Sequence, residues 1–502
     1  MKTIVLSTLN SRYTHSSLAL RYLYANMQEL QASTCILEFN INDSIQSIAE
    51  SLLDAMPQII GIGVYIWNAT QVHALLEILK KVAPQIHIVL GGPEVSYEPF
   101  RVNFDLADVI IQGEGDLAFY TTCKKLLRQT PLPKIIPPSL VDLASVALPY
   151  AYYTHDDIAN RYIYVEASRG CPFSCEFCLS SIEAKVRNFN TDLLLEAFET
   201  LWQRGVRNFK FIDRTFNLNM AIAHRLLDFF LAKKPPYFVH FEVIPDHFPE
   251  LLKAKIAQFP PGSLQLEIGI QTLNPMVAAN ISRPLKLEKI KQNIRFLEQE
   301  TSAHLHLDLI VGLPAESLQS FAENLNTLCS LTRSEIQIGI LKKLSGTVMN
   351  RHDAMHGMIY SDTPPYDILQ NDLLSYKEIQ KMKRFARFWD LIYNSGNFTH
   401  SFQLIYKNRT VFDGFYALSE FIYTQTQSTW KISLERLSTL LFEYLVFTCK
   451  LDLEYVASVM IKDILSVKGR AVPKAIQRHC PDSKILPSTT VSPHNKRQQK
   501  HI

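Results

Sequence analysis

Short apolar runs separated by helical stretches recur over most of the first 345 residues, and nothing else in the sequence restricts the fold so strongly. TIVLST reads as a strand, SSLALRYLYANMQEL as a helix, CILEFN as a strand and DSIQSIAESLLDAM as a helix. IIGIGVYI, a helix from Ala69 to Val82, HIVLGG, DVIIQGEG and a helix from Asp116 to Leu127 continue the series. Apolar strands alternating with helices predict a parallel sheet covered on both faces. In such doubly wound sheets, ligands bind beyond the carboxyl ends of the strands. The loops there are LNSRYTHSS (9–17), YIWNAT (65–70), GGPEVSYEP (91–99) and GEGD (113–116).

The alternation breaks once. TPLPKIIPPSLVDLASVALPY (130–150) carries five prolines and predicts a stiff, extended linker. A second series then supplies six strand candidates: YIYVEAS, NFKFID, YFVHFEVI, SLQLEIGIQ, HLHLDLIVG and EIQIGILKKL. Eight strand–helix units usually need roughly 250 residues, so six units in this span predict a partial (β/α) barrel. From 366 to 478 the spacing is helical and rich in aromatics, among them Phe388, Trp389, Tyr393 and Tyr406, which are expected in the core. The expected plan is therefore an α/β chain. A Rossmann-like domain fills 1–130, a Pro-rich linker 131–160, a partial (β/α)6 barrel 161–350, a helical domain 351–480 and a disordered polar tail 481–502.

Composition places this plan among ordinary globular proteins, at 47% hydrophobic and 20% charged residues. A net charge of +3 gives no reason to expect nucleic acid or an anionic membrane as partner. The first residues lack the apolar core and cleavage site of a signal peptide. LSTLLFEYLVFTC (437–449) contains Glu443 and falls short of the ~20 residues that span a bilayer. A cytoplasmic location follows as the expectation, and there clustered cysteines bind metal or do chemistry more often than they form disulfides.

Three of the eight cysteines do cluster: Cys171, Cys175 and Cys178 in EASRGCPFSCEFCLSS. Structural zinc needs four closed ligands and no fourth stands near. A dithiol redox pair would use Cys175 and Cys178 and leave Cys171 idle. Three thiolates suit a [4Fe–4S] cluster with one iron left open, and the loop follows the first barrel strand, at the end where barrel enzymes keep their sites.

CPFSCEFC resembles the radical S-adenosylmethionine (SAM) signature CxxxCxxC, with aromatic Phe177 before the third cysteine. The resemblance implies that the open iron chelates SAM and that reductive cleavage yields a 5′-deoxyadenosyl radical. SLQLEIGIQTLN, ISRP and HLHLDLIVGLPAES resemble the branch that includes oxygen-independent coproporphyrinogen oxidases. By that resemblance Gln271, Arg283 and Asp308 contact SAM, Arg283 through the carboxylate and Asp308 through ribose hydroxyls. Glu242 is a further candidate, for the amino group or a ribose hydroxyl. FIDRTFN (211–217) stands where the family has a Gly-rich segment but has no glycine, which leaves the roles of Asp213 and Thr215 open.

A parallel domain ahead of such a barrel resembles the cobalamin-binding (B12) radical SAM enzymes, in the subfamily with an added C-terminal helical domain marked by LKKLSGT (341–347). The resemblance implies cobalamin contacts from Asn10, Ser11, Trp67, Asn68, Gly91, Gly92 and Glu114. The glycines would let backbone approach the corrin, and the Ser and Asn side chains would bind its amide arms. The DxHxxG motif that supplies a cobalt-ligating histidine in related domains does not occur. His15 is expected to cap the next helix or pack near the cofactor. The implied activity is methylation of an unactivated carbon on an unknown substrate, with electrons from a flavodoxin or ferredoxin. Cyclisation or oxidation without methyl transfer, and a non-catalytic cobalamin or cluster sensor, remain as alternatives. A methylthiotransferase would carry a second three-cysteine set in the first domain, where only Cys35 and Cys123 occur.

Overall fold

The structure is a computed structural model that describes residues 3–467 and 469–480. The expected tail at 481–502 lies outside the described residues. The chain divides into two compact units. The first is Met1–Glu242 with Lys342–Asn350 and Tyr360–Asp367, and the second is Val243–Leu341, Arg351–Ile359 and Ile368–Ile502.

The first unit opens with a six-stranded parallel sheet: β1 (Ile4–Asn10), β2 (Thr34–Asn40), β3 (Ile59–Gly63), β4 (His87–Gly91), β5 (Val109–Ile111) and β6 (Ile135–Ile136) in the order β2-β1-β3-β4-β5-β6. Every residue of β1 is buried, as a central strand covered on both faces requires. Helices α1 (Leu18–Ala25), α2 (Ile45–Asp54), α3 (Ala69–Val82) and α4 (Ala118–Leu127) supply the cover. Leu52, Leu75 and Leu79 of α2 and α3 pack on Val5, Ile60 and Ile88. Leu20, Phe119 and Cys123 of α1 and α4 pack on Ile4, Leu6 and Val89 from the other side. Strand order reverses between β1 and β3, which opens the ligand crevice at their carboxyl ends.

The stretch expected as a free linker belongs to this unit. Its Ile135–Ile136 pairs in parallel with Ile110–Ile111, so the sheet has six strands where the apolar pattern predicts five. Two apolar residues between prolines are too short to register as a strand, yet they cover an edge that would otherwise be open. Past it come β7 (Ile163–Val165), the short antiparallel pair β8 (Ser168–Arg169) and β9 (Arg187–Asn188), β10 (Asn208–Phe211) and β11 (Phe238–Val243). β10 pairs in parallel with β7 and β11.

In the second unit, β12 (Leu264–Gln271), β13 (His304–Val311) and β14 (Glu335–Ile340) are parallel, β13 in the middle. The helical region is confirmed in kind. Helix Tyr376–Trp389 starts with a capping box between Ser375 and Glu378 and buries Ile379, Met382, Phe385, Phe388 and Trp389 along one face. Buried Asp463 accepts hydrogen bonds from His400 N, Ser401 N and Ser401 Oγ at the start of helix Ser401–Ile405. Of the four aromatics expected in the core, Phe388 and Trp389 are fully buried, whereas Tyr393 and Tyr406 are half-buried.

Candidate active site

The cysteine loop is stitched at both ends. β8 and β9 pair on either side of it, Cys171 N donates to Glu183 O at 2.9 Å, and Cys178 N donates to Cys175 O at 3.1 Å. Cys171 and Cys175 are buried, Cys178 and Phe177 half-buried. Burial pushes the Cys171 thiol up, and Cys178 and Cys175 push the same way. Among the described residues no three His, Cys, Asp or Glu side chains are grouped to hold a single metal ion. A multi-iron cluster, larger than one ion, fits such a set of thiols.

Two adjoining cavities of the first unit, about 1060 and 510 Å3, share a wall formed by Tyr65, Tyr97, Glu114, Arg169 and Arg214. The larger exceeds the roughly 300–1,000 Å3 of drug-sized ligands. It is lined both by the loops after β1 and β3 and by the cysteine loop, through Gly170, Leu179, Ser180 and Glu183. The crevice of the first sheet and the cysteine loop thus open into one space.

Several residues expected to touch the ligand serve the protein instead. Asn68 is fully buried and does not line either cavity: its Oδ1 accepts from Tyr65 N, and its Nδ2 donates to Thr8 Oγ1, Leu9 O and Gly63 O. It fastens the β1 and β3 loops together. Asn10 lines the cavity but directs its amide to His15 O and Glu38. Gly92 has φ +108°, and a Cβ there would stand 2.5 Å from Val64 O. Its need for glycine is set by the neighbouring backbone, not by the space for a corrin. Glu114 lines both cavities and accepts from Val141 N at 2.8 Å and from Arg187 at 2.5 Å. Burial pushes its carboxyl up, but these bonds and the charges of Arg169 and Arg187 outweigh burial and hold it below its ordinary value.

Other expected residues do face the space. Ser11, Trp67 and Gly91 line the cavities. Trp67 stacks on Tyr65 with ring centres 4.5 Å apart, its Nε1 donating to Leu9 O. His15 packs near the cavity as expected: Nδ1 lies 2.5 Å from Tyr164 Oη. It does not cap the next helix, because Ser17 does. Burial, with the charges of Lys210 and Arg12, pushes its pKa down and keeps the ring neutral.

The SAM candidates fall in both units. In the first, Asp213 is almost fully buried and accepts from Ala167 N and from Ser168 Oγ, pinning the strand end that leads into the cysteine loop. Burial raises its pKa to about 7. Glu242 receives two hydrogen bonds from Arg214, at 2.8 and 3.0 Å, so its carboxylate is already paired. In the second unit, Gln271 has φ +70° at the end of β12, and Arg283 donates to Gly269 O. A Cβ on Gly269 would stand 2.8 Å from Gln271 Nε2 and 3.5 Å from an Arg283 nitrogen, and Gly269 is the register partner of Asp308. Gln271 and Arg283 thus lie beside Gly269, next to the strand position of Asp308. Beneath them Glu316 accepts from Thr272 Oγ1 and Asn324 Nδ2, both at 2.7 Å, with burial raising its pKa to about 7.

Sequence reading missed Arg169 and the segment after β14. Arg169 forms a two-pronged pair with Asp116 at 2.8 and 3.0 Å, bonds Glu166 at 2.9 Å and lies over Tyr22. Its place two residues before Cys171 was the available signal. Gly346, inside LKKLSGT, packs on Tyr97: with φ +87°, its Cβ would stand 2.4–2.7 Å from the ring. Tyr366 Oη donates to buried Glu94 at 2.5 Å, and Arg101 lies 4.3 Å from the Tyr366 ring centre. The segment thus backs a wall of both cavities.

Residues 4–121 match the B12 binding domain, residues 165–328 the Radical SAM superfamily, and residues 354–499 a protein of unknown function, DUF4080. The chain thus joins a B12 binding domain to a radical SAM domain, the combination named in its cobalamin-dependent radical SAM relatives. The cofactors of its domains are a [4Fe–4S] cluster, SAM and cobalamin. One similar protein is the 2-(S-pantetheinyl)-carbapenam-3-carboxylate methyltransferase of Streptantibioticus cattleyicolor, 24% identical over 322 residues, which is 57% of this chain and 46% of that one. Another is the cobalamin-dependent radical SAM methyltransferase TokK of Streptomyces tokunonensis, 24% identical over 340 residues, 59% and 49% of the two chains. The chain spans about half the length of these relatives. The fold is that of the cobalamin-dependent SAM radical enzyme OxsB, with a TM-score of 0.63 at 13% identity over 95% of this chain and 83% of that chain. Among the described residues no helix is long and apolar enough to cross a membrane.

Proposed function

We propose that this chain is a cobalamin-dependent radical SAM methyltransferase that methylates an unactivated carbon of its substrate. The observation that carries the reading is the single cavity lined by both the cysteine loop and the loops after β1 and β3. When bound there, the cluster with SAM supplies a carbon-centred adenosyl radical and cobalamin supplies a transferable methyl group.

The chain's own residues set the conditions. Cys171, Cys175 and Cys178 hold the cluster. Arg169, tied to Asp116 and Glu166, fixes the strand end beside Gly170 and keeps the buried carboxylates compensated. Glu166 is almost fully buried, and burial pushes its pKa up while Arg169 opposes the rise. Within the second unit, Gln271, Arg283 and Asp308 are an amide, a guanidinium and a carboxylate, the group types that pair with an amino acid's charged ends and a ribose. Tyr65 and Trp67 present a stacked aromatic face in the crevice. A flavodoxin or ferredoxin in the cytoplasm is the proposed electron donor, and nucleic acid is not a proposed substrate.

The test is anaerobic reconstitution with iron, sulfide, hydroxocobalamin and SAM, followed by reduction. Formation of 5′-deoxyadenosine by protein that retains one cobalamin supports the reading. Deoxyadenosine without retained cobalamin removes the role given to the first sheet. With a substrate in hand, a product heavier by one methyl separates methylation from cyclisation or oxidation. A well-formed cluster with no SAM cleavage would favour a sensor.

A further inference from the structure

A cavity of about 430 Å3 lies in the second unit, at the amino-terminal ends of β13 and β14, where His304 and Glu335 stand. Asp308 and Gly312 lie toward the other end of β13, so the cavity is separate from the SAM candidates of this unit. Much of its wall comes from the C-terminal helices, through Tyr393, Phe402, Gln403 and Tyr406.

Its carboxylates are taken, while three of its donor side chains are not. Glu298 accepts from Thr332 Oγ1 at 2.6 Å and from Arg333 N and Ser334 Oγ, both at 3.0 Å. Glu335 pairs with His304 at 3.2 Å. No described residue accepts a hydrogen bond from the Tyr393 or Tyr406 hydroxyl, or forms an ion pair with the Arg333 side chain. Arg333 lines the cavity together with both tyrosines, and burial pushes the tyrosine pKa values up so that they remain donors. One cation and two phenolic donors around one space call for an anion. Part of the wall is aromatic: the Tyr393 ring, backed by Trp389 at 4.4 Å, lies 4.9 Å from Phe402, centre to centre, and Phe402 lies 5.6 Å from Tyr406.

The backbone is shaped for this independently. Helix Tyr376–Trp389 runs on as a π-helix over Asp390–Asn394. Such single π-turns concentrate at functional sites. Asn394 clamps the turn to β14, accepting from Ile336 N and donating to Ile336 O, both at 3.0 Å. The preceding residue, Tyr393, is thereby set in the cavity wall.

We propose that this cavity binds a small aromatic carboxylate, with its anionic end on Arg333, Tyr393 and Tyr406 and its ring against the aromatic wall. This assigns the C-terminal helical domain a ligand-binding role.

The test uses the full-length protein and phenylacetate and 4-hydroxybenzoate as probes, followed by calorimetry and saturation-transfer NMR. Benzamide and inorganic phosphate serve as comparators. One carboxylate per chain is expected to bind, with benzamide and phosphate each weaker by about tenfold or more, the scale of one charge-assisted hydrogen bond. Arg333→Gln, an exposed position whose side chain supports no other residue, should weaken the carboxylate by about tenfold, and Tyr393→Phe by about threefold. The bound probe should also slow alkylation of Cys329, which lines the cavity. Absence of carboxylate binding would overturn the proposal. So would equal affinity in both variants, or phosphate binding as tightly as the aromatic acids.

Discussion

The cysteine loop and the loops after β1, β3 and β4 border the same cavity, but they relate to their sequences in opposite ways. In the first, the residues that signal the chemistry sit on one short loop stitched at both ends by backbone pairing. In the second, many of the polar residues that look ligand-directed are consumed by the protein. Asn68 spends four hydrogen bonds on its own fold, Gly92 is required by Val64, and Glu114 answers two arginines. A cluster demands ligands of one element at fixed spacing. A large, mostly apolar macrocycle demands a shaped space, and the polar groups of the loops are freed to build it.

The strongest way to break this contrast is Cys178→Ala. It is expected to abolish cluster assembly, read as bound iron and sulfide, while leaving cobalamin retention intact; a normal cluster in that variant would remove the central assignment. Next in size is a pH effect at the strand end beneath the loop. Asp213 has its pKa raised from 3.8 to about 7 by burial, so the folded state binds the extra proton. Its contribution is fully present below about pH 4 and is lost as pH rises toward 7, about 4 kcal/mol over the window. Chemical denaturation of wild type and Asp213→Asn across that range should show a smaller loss of stability with rising pH in the variant.

Asn68→Ala is expected to lower stability by about 3 kcal/mol, since it strands buried partners on two loops. Thermal unfolding of the cobalamin-free protein measures it, and an effect confined to the cobalamin-bound form would restore Asn68 as a ligand contact. Smaller still, Gly346→Ala should lower stability by about 1–3 kcal/mol by forcing a methyl into the Tyr97 ring. It should weaken cobalamin retention, measured by absorbance after gel filtration, with cluster content unchanged. Retention equal to wild type would show that Tyr97 does not shape the cofactor space.

The legible features share a short range. The alternation of IVLSTL, SSLALRYL and CILEFN displays strand and helix directly, because burial on both faces selects apolar residues along a whole strand. CxxxCxxC is visible for the same reason, its spacing being local. Ile135–Ile136 was hidden because two residues between prolines carry no periodicity, and only pairing with β5 makes them a strand. Tyr393 and Tyr406 were read as core with Phe388 and Trp389, since helical spacing does not reveal a π-turn that brings a residue into a cavity wall.

By itself, the sequence determined the doubly wound sheet, the barrel series, the helical region and the three cysteines, because each rests on patterns a few residues long. The tertiary structure alone decided which polar side chains face a ligand. A hydrogen-bonding group is committed by whatever donor or acceptor the fold brings within about 3 Å of it, and for Asn68, Glu114, Asp213 and Glu242 that partner lies on another element of the chain.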